Sequence, residues 1–139
     1  MIEWIEYFLI GLEEMWKNRL FRHATITLLV IFMLIIFRRC SIVRQSKGSF
    51  FAPYHIADGK LYIHNAFVFK NRTIPLSEIK SIDIKFLPSV KLNGARYFLT
   101  IEQKIGKSLA FFFGKSKEND QLINNLKIET KKYNIKIRI

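Results

Sequence analysis

Thiols and acids are scarce in this chain, and each scarcity closes off a class of function. Cys40 is the only cysteine among 139 residues, so neither a disulfide framework nor a cysteine-based zinc site can form within one copy. Eleven Asp/Glu face 23 Lys/Arg, and the acids are dispersed. Asp58 falls in a turn, Asp83 and Glu102 on strand faces, and Glu118 and Asp120 in the first turn of a helix, where they suit its dipole. No two carboxylates are set together, no glycine-rich phosphate loop occurs, and no Ser or Cys stands in a nucleophile setting. The chain therefore reads as non-enzymatic, without a cofactor. Of three histidines, His55 and His64 alternate onto one outward hairpin face with Lys60 and Tyr62; with no third ligand nearby, they read as solvated side chains rather than a metal site.

What the chain does have is apolar surface in a revealing place. Ala24 to Phe37 carries no charge and is bracketed by Arg22 and by Arg38 and Arg39. Those arginines can snorkel, and Leu20 and Phe21 extend the run, so a short span over residues 20–39 is expected. A signal peptide would carry its positive end first and small residues at its close; this run ends in "FRRC" and reads as a retained anchor. Ahead of it, residues 1–19 place Trp4, Ile5, Phe8, Leu12, Met15 and Trp16 on one side of a helix and the glutamates on the other. That pattern predicts an interfacial helix with Trp4 and Trp16 at headgroup depth. Lys/Arg bias favours the C-terminal flank, where Arg38, Arg39, Arg44, Lys47 and Lys60 succeed the span. The expected topology is a single pass through a bacterial cytoplasmic (inner) membrane with the C-terminal part in the cytoplasm.

Residues 40–48 read as a linker and 49–139 as a β-rich domain of α+β class. "YHIADGKLYIH" predicts a hairpin on the Asp58-Gly59 turn, with Ala57 facing Lys60, Ile56 facing Leu61 and His55 facing Tyr62. A third strand is expected over Ala66 to Lys70, and a turn capped by Ser77 before a strand with Ile82, Ile84 and Phe86 inward. Two further strands come next, "RYFLTIEQK" with Tyr97, Leu99 and Ile101 on one face and "KSLAFFF". Then come a capped helix burying Leu122, Ile123 and Leu126, and a last strand in "NIKIRI". Six to seven antiparallel strands would form a curved sheet or partly open barrel plugged by the late helix.

The order "YHIADGKLYIHN", "IPLSEIKSIDI", two more strands and a late helix resembles the bacterial pleckstrin-homology-like domains that follow membrane helices, and more narrowly the EbsA-like small membrane proteins. The resemblance covers residues 48–139 and implies a pleckstrin-like sheet next to a membrane; the EbsA likeness also implies pore formation. The two-residue loop Asp58-Gly59 offers no basic cradle for a lipid headgroup.

Residues 48–139 hold sixteen Lys/Arg against seven Asp/Glu, so most of the +12 net charge belongs to the domain. Lys85, Lys91, Arg96, Lys104, Lys107, Lys115 and Lys117 are the candidate contacts to an anionic surface, and Trp4, Trp16, Arg22, Arg38 and Arg39 the candidate membrane-interface residues. Lysines that only solvate a Phe-rich sheet are the plain alternative. The partners expected are membrane lipids and either a partner membrane protein or further copies of the chain. Basic residues interleaved with aromatics also suit single-stranded nucleic acid, the weaker reading here because a tethered domain meets anionic lipid first. The expected function is a non-catalytic anchored module that binds or scaffolds a membrane protein. The alternative is a subunit of a small homo-oligomeric pore or transport complex lined by His23, Thr25 and Thr27.

Overall fold

The computed structural model describes residues 2–90 and 94–139. Among these residues three α-helices and seven strands succeed one another in an α+β chain, which divides into two compact units, Met1–Arg38 and Arg39–Ile139.

In the first unit, α1 (Ile2–Lys17) gives way at Asn18 to α2 (Arg19–Ser46). The Asn18 Oδ1 accepts from the backbone N–H of Leu20 at 2.9 Å and of Phe21 at 3.4 Å, satisfying two donors that a helix start leaves unpaired. Lys17 pairs with Glu14 at 2.7 Å on the solvated side of α1. At 28 residues, α2 is about 42 Å long and is, among the described residues, one helix long and apolar enough to cross a membrane. It outruns the charge-free stretch, so the residues expected as a linker divide: Cys40 to Ser46 are helical, and the loop begins only at Lys47. Lys47 ends the helix in the left-handed region, at φ 55°.

The second unit therefore starts inside α2, where Ile42 and Ser46 are buried. Strands β1 (Tyr54–Ala57) and β2 (Lys60–Ile63) pair in the expected register, Ala57 with Lys60 and Ile56 with Leu61. Both turn residues have positive φ, 50° at Asp58 and 69° at Gly59, which fits the right-handed twist of a two-residue hairpin. The third strand is not Ala66 to Lys70. That segment is a loop, because the Asn65 side chain accepts from Phe67 N at 2.9 Å and folds the chain into a local turn. Its alternation is nonetheless one of burial, with Ala66 and Val68 in and Phe67 and Phe69 out. Strand β3 (Thr73–Pro75) pairs with β2 instead, leaving Pro75 on an edge strand.

A single 3-10 turn, Leu76–Glu78, comes next; Ser77 lies within it, and no side chain caps it. The second sheet runs β6-β5-β4-β7, from β4 (Ile79–Leu87), β5 (Arg96–Gln103), β6 (Leu109–Gly114) and β7 (Lys136–Arg138). β7 pairs with β4 in parallel, so the expected all-antiparallel order fails at the last strand. The strands form two separate sheets, of three and four strands, and no barrel closes among the described residues. Between β6 and β7, α3 (Lys117–Lys132) is capped by Ser116, whose side chain accepts from Asn119 N at 3.2 Å.

The core lies between the sheets and α3. Leu61, Ile63, Ile74, Leu76, Ile79, Ile82, Ile84, Leu99, Ile101 and Leu126 are almost wholly buried, each side chain contributing about 1.5–3 kcal/mol relative to exposure. Tyr54 meets Phe111 and Phe113 edge-on at 6.5 and 5.9 Å. Leu122 and Tyr97 pack at the margin of this cluster. Phe86 does not go in as expected: it is half exposed because β4 runs on past the core there, and its ring packs on Tyr97 at 5.6 Å.

Candidate functional site

His64 is the largest departure from the expected surface. Instead of facing water with His55 it is 0% exposed, because the end of α2 and the loop after it cover that face of the hairpin. Its Nδ1 lies 3.0 Å from the Ala52 carbonyl oxygen and its Nε2 2.8 Å from the Ser46 hydroxyl. A carbonyl can only accept, so Nδ1 carries the proton; in the neutral ring Nε2 is an acceptor for the Ser46 hydroxyl, which also lies 3.2 Å from the Val43 carbonyl oxygen. Ser46 Oγ in turn accepts from Gly48 N at 3.2 Å. Burial pushes the imidazole below its ordinary 6.5; the Ala52 bond opposes this, and the charges of Arg39 and His55 add to it. The ring is thus neutral and acts as a clasp between α2, the loop and β2.

Two neighbours complete the clasp. Arg39 donates from Nε to the Phe50 carbonyl at 2.8 Å and from Nη2 to the Ala52 carbonyl at 3.4 Å, with its guanidinium 5.1 Å from the Phe50 ring centre. Gly48 passes so close to the histidines that a Cβ there would fall 2.8 Å from His55 Cβ and 3.0 Å from His64 Cε1. Among the described residues no group of three or more His, Cys, Asp or Glu is placed to hold a metal ion.

The outer face of the four-stranded sheet carries the exposed chemistry. Lys85 stands opposite Phe98, and Phe98 opposite Phe112, in one row across β4, β5 and β6. The two phenyl rings pack at 4.6 Å, and Phe112 is 53% exposed. Arg96 sits in another row, between Leu87 and Gly114. The parallel pairing of β7 brings Lys136 beside Ser81 and Arg138 beside Asp83 on that same face. Neither was among the expected anion contacts. The alternation of "KIRI" signals that they point outward, but their neighbours depend on a pairing that the sequence does not mark. Glu102 joins Asp83 as an acid of this face: Lys80 at 2.8 Å and Ser81 at 2.8 Å hold its carboxyl below the usual range. At the sheet margin Tyr97 donates to Asp120 at 2.6 Å, and that bond, with some desolvation, pushes the phenol up to about 12.

The expected anion contacts do not form one cluster. Lys85 and Arg96 lie on the outer face, whereas Lys115 places its Nζ 4.9 Å from the ring centre of Phe86, which points to the opposite face of β4. Lys117 opens α3. Lys104 and Lys107 occupy the turn between β5 and β6. The eight residues of β5 separate Arg96 from Lys104 by about 26 Å. Lys91 lies outside the described residues. On the helices, Trp4, Trp16 and Arg22 are exposed, whereas Arg38 and Arg39 are partly buried. Thr27 donates to the His23 carbonyl at 2.8 Å, a bond inside its own helix.

No family model, no curated protein and no solved structure matches this chain.

Proposed function

We propose that the chain is a non-catalytic, membrane-anchored module of pleckstrin-like character that binds or scaffolds a partner membrane protein at an anionic membrane surface. The observation that carries this reading is the passage of α2 into the folded unit. The helix goes on beyond the charge-free stretch, and its last turns bury Ile42 and Ser46 and bond Ser46 to His64. The anchor and the domain thus share one element, as a module that works next to a bilayer requires. The outer face with Phe98, Phe112, Lys85, Arg96 and Arg138 is then the surface offered to the partner: an aromatic centre within a basic frame, suited to an acidic cytoplasmic segment. The Lys/Arg bias around the span supports an orientation with that face on the cytoplasmic side of a bacterial inner membrane.

Crosslinking of the full chain in native membranes, with subsequent purification in detergent, tests the reading. A defined heteromeric product, lost when Phe98 and Phe112 are both changed to Ser, supports it. A homo-oligomer of fixed size accompanied by ion leak from vesicles replaces it with a pore.

A further inference from the structure

We propose that three adjoining loops of the folded unit, residues 47–53, 64–72 and 104–108, form a docking edge that seats Phe50, Phe51, Phe67, Phe69 and Ile105 in the headgroup region of an anionic bilayer; the proposal rests on α2 being the anchor. The first support is exposure. Phe51 is 87% exposed, Phe67 72%, Phe69 75% and Ile105 89%, although the unit has a core of its own that accepts Phe111 and Phe113. Large apolar side chains gathered on loops mark an interaction surface rather than folding.

The second support is adjacency. His64 N donates to the Pro53 carbonyl at 2.9 Å, which joins the second loop to the first. Phe67, Phe69 and Lys70 line one hollow of about 360 Å³ with Lys107 and Ser108, which joins the second loop to the third.

The third support is chemistry. None of the three segments contains an acid, while Lys47, Lys70, Arg72, Lys104 and Lys107 lie within them. Aromatic residues with interspersed cations and no carboxylate are what the boundary of an anionic leaflet accepts, the rings entering among the headgroups and the ammonium groups meeting lipid phosphates.

The fourth support fixes the occupant as lipid. Arg39 lies two positions after Phe37, the last residue of the charge-free stretch. It holds the first loop through the Phe50 and Ala52 carbonyls and through the Phe50 ring. The first loop is therefore fastened to the residue at which the span meets the headgroups. The exposed Phe51 stands between those two carbonyls in the chain.

The test uses the full chain with Cys40→Ser and single cysteines introduced by F51C, F67C, I105C and, as a reference on α3, I128C, each carrying an environment-sensitive fluorophore. The proteins are reconstituted into bilayers of phosphatidylcholine alone or with phosphatidylglycerol. Labels at 51, 67 and 105 should shift to the blue in the anionic bilayer and be quenched by lipids brominated near the headgroup, while the label at 128 keeps its aqueous spectrum. Changing Lys70, Lys104 and Lys107 together to Gln should reduce the shift. Labels that stay aqueous in both bilayers, or that respond only when a membrane extract supplies a partner protein, overturn the proposal. Flotation after an alkaline wash is the independent readout. A chain that fails to float removes the anchor reading itself, whereas a chain that floats with aqueous labels removes only the docking edge.

Discussion

Around residues 61–64 the three-stranded sheet is closed on both faces, whereas the four-stranded sheet is closed on one. Leu61, Tyr62, Ile63 and His64 are buried in succession. In β6, by contrast, Phe111 and Phe113 are buried while Ala110 and Phe112 are exposed. The hairpin has a second cover, built from the last turns of α2 and residues 47–53, and the larger sheet has none on its outer side among the described residues. The contrast separates two roles. The closed sheet joins the end of α2 to the domain, and His64, buried there, has both ring nitrogens bonded. The open sheet keeps its aromatic and basic residues available.

The largest expected effect is at the clasp itself. His64→Ala removes the ring that pairs Ala52 and Ser46 and leaves a cavity, and should cost about 2–3 kcal/mol in denaturant unfolding of the full chain in detergent micelles. The clasp also predicts a pH dependence. The folded imidazole titrates below its ordinary 6.5, so the unfolded chain binds the proton first. The stability that the neutral ring contributes is complete above 6.5 and is lost as pH falls below it toward the lower folded value. Unfolding midpoints at pH 7.5 and 5.5 should differ for the natural chain, and the part of that difference due to His64 should vanish in His64→Ala.

Next comes the packing under the second cover. Gly48→Ala places a Cβ against both histidines and should cost about 1–3 kcal/mol, with hydrogen exchange accelerated over residues 54–64 rather than over β5. If Gly48→Ala were neutral, the cover would be looser than the geometry indicates. The smallest effect belongs to the open face. Phe112→Ala gives up only a half-exposed ring and its contact with Phe98, and should cost under about 1 kcal/mol in the same assay. A loss as large as that of His64→Ala would show that the outer face is buried by something, and the comparison would fail.

Much of the second unit was legible residue by residue. The Asp58-Gly59 turn announced its hairpin and register because positive φ at both positions favours those residue types. Ser116, Leu122, Ile123 and Leu126 announced α3 through a cap and helical spacing. The misses have separate causes. Alternation over Ala66 to Lys70 was a true record of burial, yet a side-chain bond from Asn65 turned the backbone into a loop. Phe86 kept its inward parity but sits where no partner covers it. His64 kept its parity opposite Ile63, and it is buried because a distant segment lies over it.

Local sequence, then, determined the long apolar helix, the basic excess of the domain, the hairpin register and the parity of most strand residues, since these come from hydrophobic spacing, turn chemistry and charge counted along the chain. Tertiary structure alone decided that α2 ends inside the domain, that β7 lies parallel to β4 with Lys136 and Arg138 on the outer face, that the strands divide into two sheets, and that His64 is a clasp. The physical reason is that periodicity states which side of an element is apolar, whereas which element covers that side depends on contacts between residues far apart in sequence.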